Sequence, residues 1–273
     1  MAATVVAIAN QKGGVGKTTS AVNLAASLAI HHGQRVLVVD MDATQANATL
    51  ALGHRPGEAG ELPFSHVLTA RTEGSTADAP RPQVTDCLVK TKIENLYLIP
   101  ADKGLLLVPA YKYDMLARAM IPLKEYFNFI VIDTPPSLSL LTHAALHAAD
   151  TVLVPCEQSR FSLEGLADLL DVIETVTANR PDVDPATFYR VMLTKVDSRL
   201  KRSGEYTERE LATYKERLYA AQIRRTDSLN QAHAAGLPIF HFDPSSLGAE
   251  DYAELTKEFL AYESQRTAPH PVG

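Results

Sequence analysis

Seven short apolar runs, separated by helical stretches, constrain the fold of this chain more than any other feature of its sequence. Most of these runs are continuously apolar rather than alternating, a pattern typical of strands that are covered on both faces in a parallel sheet. Because strand and helix alternate along the chain, we predict an α/β fold with a doubly wound, mostly parallel sheet and helices on both faces. The predicted strands span residues 5–9, 35–40, 96–101, 129–133, 151–155, 188–194 and 237–242.

The helical patterns and one irregular segment fit a single domain over the whole chain. Helical periodicity is clearest over residues 17–31 and 162–177. Residues 53–85 are rich in Gly, Pro, Ser, Thr and Ala. We predict that this segment is a surface excursion with a short helix around 64–69, not a linker between domains. The tail from about 267 to 273 is predicted to be frayed.

Composition excludes several classes of protein. The chain has 273 residues, of which 46% are hydrophobic and 21% charged, with a formal net charge of −6. This is long enough to bury a full core, and no stretch approaches the roughly 18 apolar residues of a membrane span. The cysteines, Cys87 and Cys156, lack CxxC spacing and a nearby His pair. We therefore exclude a disulfide scaffold, consider a zinc site unfavoured, and predict a cytoplasmic protein.

A glycine-rich loop follows the first predicted strand and leads directly into a helical pattern. Ligands of doubly wound sheets bind at the carboxyl ends of the strands, where this loop is expected to lie. Glycines let backbone N–H groups turn towards an anion, Lys17 supplies a charge for the β and γ phosphates, and the Thr18 hydroxyl can ligate Mg²⁺. The predicted phosphate-binding residues are Gly13, Gly14, Val15, Gly16, Lys17, Thr18 and Thr19.

Three aspartates lie at the ends of two further predicted strands. Asp133 closes the run FIVID, and Asp40 and Asp42 lie in RVLVVDMDATQAN. A nucleotide-hydrolysing site needs carboxylates near its metal and its attacking water. Each aspartate alone fits a helix cap or a turn equally well. The three together with the glycine loop favour the nucleotide-hydrolysing site.

The loop departs from the strict pattern GxxxxGK[ST], because Gln11 stands where the first glycine belongs. The string KGGVGKT, which carries an extra lysine at Lys12, resembles the deviant Walker A loop of the ParA/MinD family of ATPases. This resemblance implies a P-loop NTPase fold, ATP and Mg²⁺ as cofactors, and a homodimer that sandwiches the nucleotides. In that dimer, Lys12 would reach the phosphates bound to the partner subunit.

The resemblance also implies roles for the aspartates. Lys12, Lys17 and Asp42 would be catalytic, with Asp42 positioning the attacking water, whereas Asp40 and Asp133 would hold the metal with Thr18. The family's first switch usually reads DxDPQxN. Here residues 40–47 read DMDATQAN, without the proline and one residue longer. Since phosphoryl transfer depends mainly on positioning, we expect slow hydrolysis in the absence of a partner.

The carboxy-terminal third resembles the end of ParA-type proteins, where loops after the late strands surround the adenine. The resemblance makes Lys195, Asp197 and Arg225 candidates for the base pocket, with ordinary surface charges as the alternative.

Residues 195–225 carry nine basic and five acidic residues, a balance of +4 that leaves −10 for the remainder. Such a basic stretch can bind a polyanion, although a solvated helix with interleaved ion pairs is an equal alternative from the residues alone. The resemblance favours nonspecific DNA binding. The candidates are Arg199, Lys201, Arg202 and Arg224, although Ser228 stands where many relatives have arginine.

The function implied is that of a partition or positioning ATPase. ATP would close the dimer, the dimer would bind nucleoid DNA, and a ParB-like protein or cargo adaptor would stimulate hydrolysis. No room is apparent before Thr4 for an N-terminal helix-turn-helix, so operator binding is not expected.

Two alternatives remain open at this stage. A MinD-like membrane ATPase needs a basic amphipathic helix at its carboxyl end, but this end is acidic and rich in proline. A metabolic or redox relative with an iron–sulfur cluster needs cysteines beside the switches, and no such spacing is present.

Overall fold

The computed structural model describes residues 2–57, 61–70, 82–108, 113–157, 160–197 and 212–267; side chains are not described at 70 and 160–165. The ends of the excursion predicted at 53–85 are described, but residues 58–60 and 71–81 lie outside the described residues, as does the predicted tail from 268 onwards.

A seven-stranded sheet forms the centre of the molecule, in the order β3-β4-β2-β5-β1-β6-β7. All neighbouring strands are parallel except β3, which pairs antiparallel to β4 at one edge. The strands are β1 (Thr4–Ile8), β2 (Val36–Asp40), β3 (Val89–Lys90), β4 (Leu96–Ile99), β5 (Phe129–Asp133), β6 (Thr151–Glu157) and β7 (Tyr189–Thr194). The predicted doubly wound, mostly parallel sheet is therefore confirmed.

Helices cover both faces of the sheet because neighbouring residues on each strand point to opposite layers. In β1, for example, Val5 and Ala7 belong to one buried apolar cluster, whereas Val6 and Ile8 belong to the other. The α-helices are α1 (Lys17–His32), α2 (Asn47–Ala51), α3 (Phe64–Ala70), α4 (Met115–Met120), α5 (Leu140–Ala148), α6 (Arg160–Ala178), α7 (Asp227–Ala234), α8 (Ile239–Phe242) and α9 (Leu247–Arg266). Short 3-10 helices occur at Val84–Cys87, Lys103–Leu107, Ile121–Leu123 and Ala212–Arg217.

The run at 237–242 is not a strand, so this prediction was wrong. Ile239–Phe242 forms the short helix α8, preceded by Pro238. The backbone N–H of Ile239 donates to the side chain of Asn23 on α1 at 2.8 Å, and both Ile239 and Phe240 are buried. A short apolar run does not distinguish a strand from a buried helical turn, and here packing against α1 decides.

The free edge of β7 is covered by residues 218–225, which run alongside it without forming a regular strand. Tyr219 and Ile223 donate backbone hydrogen bonds to the carbonyl oxygens of Val191 and Leu193, both at 2.9 Å. This cover places Arg224 and Arg225 beside the carboxyl end of β7. The helices of the described residues include none with the length and apolar content of a membrane span.

Candidate nucleotide site

The glycine loop joins β1 to α1 at the carboxyl edge of the sheet. Gly14 and Gly16 have left-handed backbone angles, with φ of 74° and 93°. Residues that have a Cβ adopt such angles only at a cost in conformational free energy. Asn10 and Thr194 tie the loop region to neighbouring strands. The Asn10 amide donates to Pro155 O at 2.7 Å, and the Thr194 hydroxyl donates to Val15 O at 2.8 Å.

Lys17, in the first turn of α1, folds its side chain back over the loop. Its Nζ atom donates to the carbonyl oxygen of Lys12 at 3.0 Å. Burial lowers the pKa of Lys17, while the charges of Asp133 and Asp42 act in the opposite direction. The ammonium group is therefore held between the loop and two carboxylates, as a group that binds a phosphate–metal complex needs to be.

Asp133 and Thr18 meet at the carboxyl end of β5. The Thr18 hydroxyl donates to Asp133 Oδ2 at 2.7 Å, and Asp133 Oδ1 is buried without a hydrogen-bond partner among the described residues. Burial first, and then the neighbouring charge of Asp40, raise the pKa of Asp133 well above its usual range. A hard divalent cation bound here would give Oδ1 a partner and balance the negative charge of the carboxylate, so these residues fit Mg²⁺.

Asp40 lies beside Asp133 in the sheet register but makes different contacts. Its Oδ2 accepts from the backbone N–H and the hydroxyl of Thr49 at 2.8 and 2.7 Å, and its Oδ1 accepts from the backbone of Asp42 at 3.0 Å. Asp40 is fully buried, and burial raises its pKa to about 6. These contacts tie Asp40 to the segment that carries Asp42, and its role at the metal stays a prediction.

Asp42 faces the cavity above the glycine loop. Its Oδ1 accepts from the backbone N–H groups of Thr44 and Gln45 at 3.1 and 3.0 Å. The longer switch passes through Ala46 with a φ of 50° before α2 begins. The added residue is thus accommodated by a left-handed turn, and Asp42 still lines the cavity.

Two adjoining cavities, of about 450 and 250 Å³, lie above the loop. The larger one is walled by the loop glycines with Lys17, Thr18, Asp42 and Thr134. The smaller one extends beside β7. The residues that line both are Gly16, Thr19, Lys195 and Asn230. The first cavity brings together Lys17, Thr18 and Asp42, side chains that suit phosphates and a metal.

The predicted base-pocket residues separate in the structure. Lys195 lines both cavities with a left-handed φ of 53°, and Arg225 lines the smaller one. Asp197 is described but lines neither. Sequence reasoning missed several lining residues, which come from the switch and the start of α2, from α7 and the residue before it, and from α9. They are Gln45, Asn47, Thr226, Asp227, Asn230, His233 and Tyr252.

Lys12 lies at the outer side of the loop, beside the end of β6. Its Nζ is 3.7 Å from Glu157 Oε2, and Arg225 Nη2 is 3.4 Å from Glu157 Oε1. Lys12 does not wall either cavity.

Of the four predicted DNA contacts, Arg199, Lys201 and Arg202 lie outside the described residues. Arg224 is described, and its guanidinium pairs with Asp251 at the start of α9, where Nε is 2.9 Å from Oδ1. Its Nη2 is 2.6 Å from Glu250 Oε2. Because two carboxylates of its own chain hold Arg224, it is a weaker phosphate-binding candidate than the sequence indicates.

Comparison with known proteins agrees with this geometry. A family model described as an AAA domain matches residues 3–184. The sporulation initiation inhibitor protein Soj of Bacillus subtilis is 38% identical, with 94% of this chain and 98% of Soj covered. The chromosome partitioning protein ParA of Caulobacter vibrioides is 35% identical, with 97% and 96% covered.

A solved structure gives the same fold with a nucleotide bound. Cobyrinic acid a,c-diamide synthase from Mycobacterium smegmatis, with bound ADP and magnesium, has a TM-score of 0.74 and 29% identity. The match covers 99% of this chain and all of the synthase chain.

Proposed function

This chain belongs to the ParA/MinD family of NTPases, and from that membership we propose that it is a partition or positioning ATPase with ATP and Mg²⁺ as cofactors. The observation that carries the proposal is the meeting of Lys17, Thr18 and Asp42 at one cavity of about 450 Å³, with the buried carboxylate of Asp133 hydrogen-bonded to Thr18.

The residues of the site divide the work of binding and hydrolysis. The backbone N–H groups of the loop and the Lys17 ammonium neutralise and orient the β and γ phosphates. Thr18 and Asp133 hold Mg²⁺, which supplies charge neutralisation when bound. Asp42 orients a water molecule towards the γ phosphate. Backbone N–H groups of the Asp42 segment donate to the side-chain carboxylates of Asp40 and Asp42, and these hydrogen bonds position the segment. Because phosphoryl transfer depends on the position of the attacking water, a small displacement of this segment slows the reaction.

The proposed ATP-bound form is a homodimer in which Lys12 contacts the partner's phosphates. The position of Lys12 outside the walls of its own cavities supports this role. The dimer binds nucleoid DNA nonspecifically through basic residues of the 195–225 stretch, and a ParB-like protein or cargo adaptor stimulates hydrolysis and release. The protein is then cytoplasmic, and nucleoid-associated while ATP is bound.

Two lysine variants test the proposal. Lys17→Ala is expected to lose nucleotide binding, whereas Lys12→Ala is expected to keep nucleotide binding but to lose ATP-dependent self-association and turnover. Lys92→Ala is the matched control, because Lys92 is exposed at the opposite end of the sheet. Nucleotide titration, sedimentation velocity and phosphate release are the measurements. If both variants associated and turned over like the control, the proposal would be wrong.

A second candidate comes from the likeness to the diamide synthase, which covers almost the whole chain. A small-molecule ligase of this fold would use the same phosphate site without binding DNA. Retention of the ATP-bound protein on a DNA-coated surface at low salt separates the two functions: retention favours the partition ATPase, and its absence with intact turnover favours the ligase.

A further inference from the structure

Glu157, the last residue of β6, lies between two cationic side chains from distant parts of the chain. One carboxylate oxygen is 3.7 Å from Lys12 Nζ of the glycine loop, and the other is 3.4 Å from Arg225 Nη2 beside β7. The Glu157 side chain is 20% exposed, compared with 31% for Lys12 and 60% for Arg225. The two cations therefore share the single negative charge of one largely shielded carboxylate.

Lys12 is also held through its backbone. Its carbonyl oxygen accepts from Lys17 Nζ at 3.0 Å, and its N–H donates to Asn10 Oδ1 at 2.9 Å. A bound phosphate would compete with the Lys12 carbonyl for the Lys17 ammonium. Nucleotide binding would then remove one of the two backbone hydrogen bonds of the residue whose side chain contacts Glu157.

We propose that Glu157 is a positioning residue that retains the Lys12 ammonium within its own subunit until nucleotide is bound. This inference rests on the proposed ATP-dependent dimer, in which the same ammonium has to leave Glu157 to reach the partner's phosphates. Glu157 then raises the ATP concentration at which subunits associate and suppresses association of nucleotide-free subunits. Arg225 competes for the same carboxylate, so it weakens the retention of Lys12.

The first test is the reactivity of Lys12 in nucleotide-free protein, measured by amine acetylation and mass spectrometry. A partly exposed ion pair changes an equilibrium by about two- to fivefold. Glu157→Gln keeps the shape of the side chain and removes its charge, so Lys12 labelling should rise about two- to fivefold. Arg225→Gln should lower Lys12 labelling, because it removes the competitor. A packing role for Glu157 would not move the two variants in opposite directions.

The second test is the ATP dependence of self-association by sedimentation velocity. Glu157→Gln should lower the ATP midpoint by about two- to fivefold. Glu94→Gln is the matched control, because Glu94 is exposed at the opposite end of the sheet. Equal labelling of Lys12 in the wild type and Glu157→Gln would overturn the inference, as would equal midpoints. If the wild type did not associate at any ATP concentration, the proposed function itself would fail.

Discussion

The carboxylate of Asp133 is buried beside Asp40 and accepts a hydrogen bond from Thr18 on one oxygen only. The other oxygen accepts no hydrogen bond from the described residues, and the ammonium of Lys17 donates to the carbonyl oxygen of Lys12. At the residue scale, the nucleotide-free site therefore holds a carboxylate that would be stabilised by a cation. The same residue is expected to decrease stability and to support activity.

Asp133→Asn should stabilise the nucleotide-free protein at neutral and higher pH. The folded state raises the pKa of Asp133, so its stabilising contribution is complete below about pH 4 and is lost as the pH rises through the raised pKa. The midpoint of thermal unfolding of the variant should exceed that of the wild type by more at pH 8 than at pH 5. Asp168→Asn, on the exposed side of α6, is the control. A difference that is constant with pH would contradict this prediction.

Asp133→Asn should also lower the rate of ATP hydrolysis by about a hundredfold or more, because one preorganised charge at the metal position is removed. Phosphate release at saturating Mg²⁺ measures this. Retention of the wild-type rate would show that Asp133 does not act on the metal.

Site residues could be predicted from the sequence where they lie together in one short continuous segment with a recognisable pattern. The loop from Gly13 to Thr19 and the aspartates at two strand ends are read from local order, because strand ends of a parallel sheet meet at one edge. Asn230 and His233 could not be read in this way. They come from a helix near the end of the chain that carries no motif, and only its packing brings them to the cavity.

At the element scale, the segment between β2 and α2 departs most from the family pattern. Ala46 adopts a left-handed φ of 50° immediately before α2, a conformation that is unfavourable for a residue with a Cβ. This strain fits the added residue of the switch. The periodicity of β2 is regular and predicts the strand, but it contains no information on how the longer turn closes.

Ala46→Gly is expected to stabilise the protein by about 0.5–1 kcal/mol, since relief of the left-handed strain exceeds the gain in flexibility of the unfolded chain. Ala48→Gly, two residues later inside α2, is expected to destabilise it by about 1 kcal/mol. Urea unfolding of both variants measures the change in the free energy of unfolding. A loss of stability in both would mean that the turn at Ala46 is not strained.

At the scale of the whole molecule, charge is distributed unevenly. The chain has a formal net charge of −6, while residues 195–225 carry +4. Most of a polyanion's affinity for such a surface comes from released counterions, and the repulsion from the acidic remainder is screened within about 10 Å at 0.1 M salt. The DNA affinity of the ATP-bound protein is therefore expected to depend strongly on salt.

Replacing Arg199, Lys201 and Arg202 with glutamine should weaken DNA binding and reduce the slope of log affinity against log salt. If all three contact phosphates, the slope should fall by about 3. Replacing Lys90 and Lys92, exposed at the opposite end of the sheet, should leave the slope unchanged. Fluorescence anisotropy with duplexes of unrelated sequence measures both. An unchanged slope in the triple variant would locate the DNA surface elsewhere.

The anchors of the glycine loop have a consequence for how the molecule distinguishes its ligands. Because Asn10 and Thr194 fix the loop to neighbouring strands, its conformation is preorganised before any ligand arrives. A nucleoside triphosphate and a diphosphate then bind to the same preorganised loop, and the loop stabilises both through the phosphates that they share. Discrimination between the two must then come from groups outside the anchored loop that would meet only the γ phosphate, namely the Asp42 carboxylate and the ammonium of a partner's Lys12.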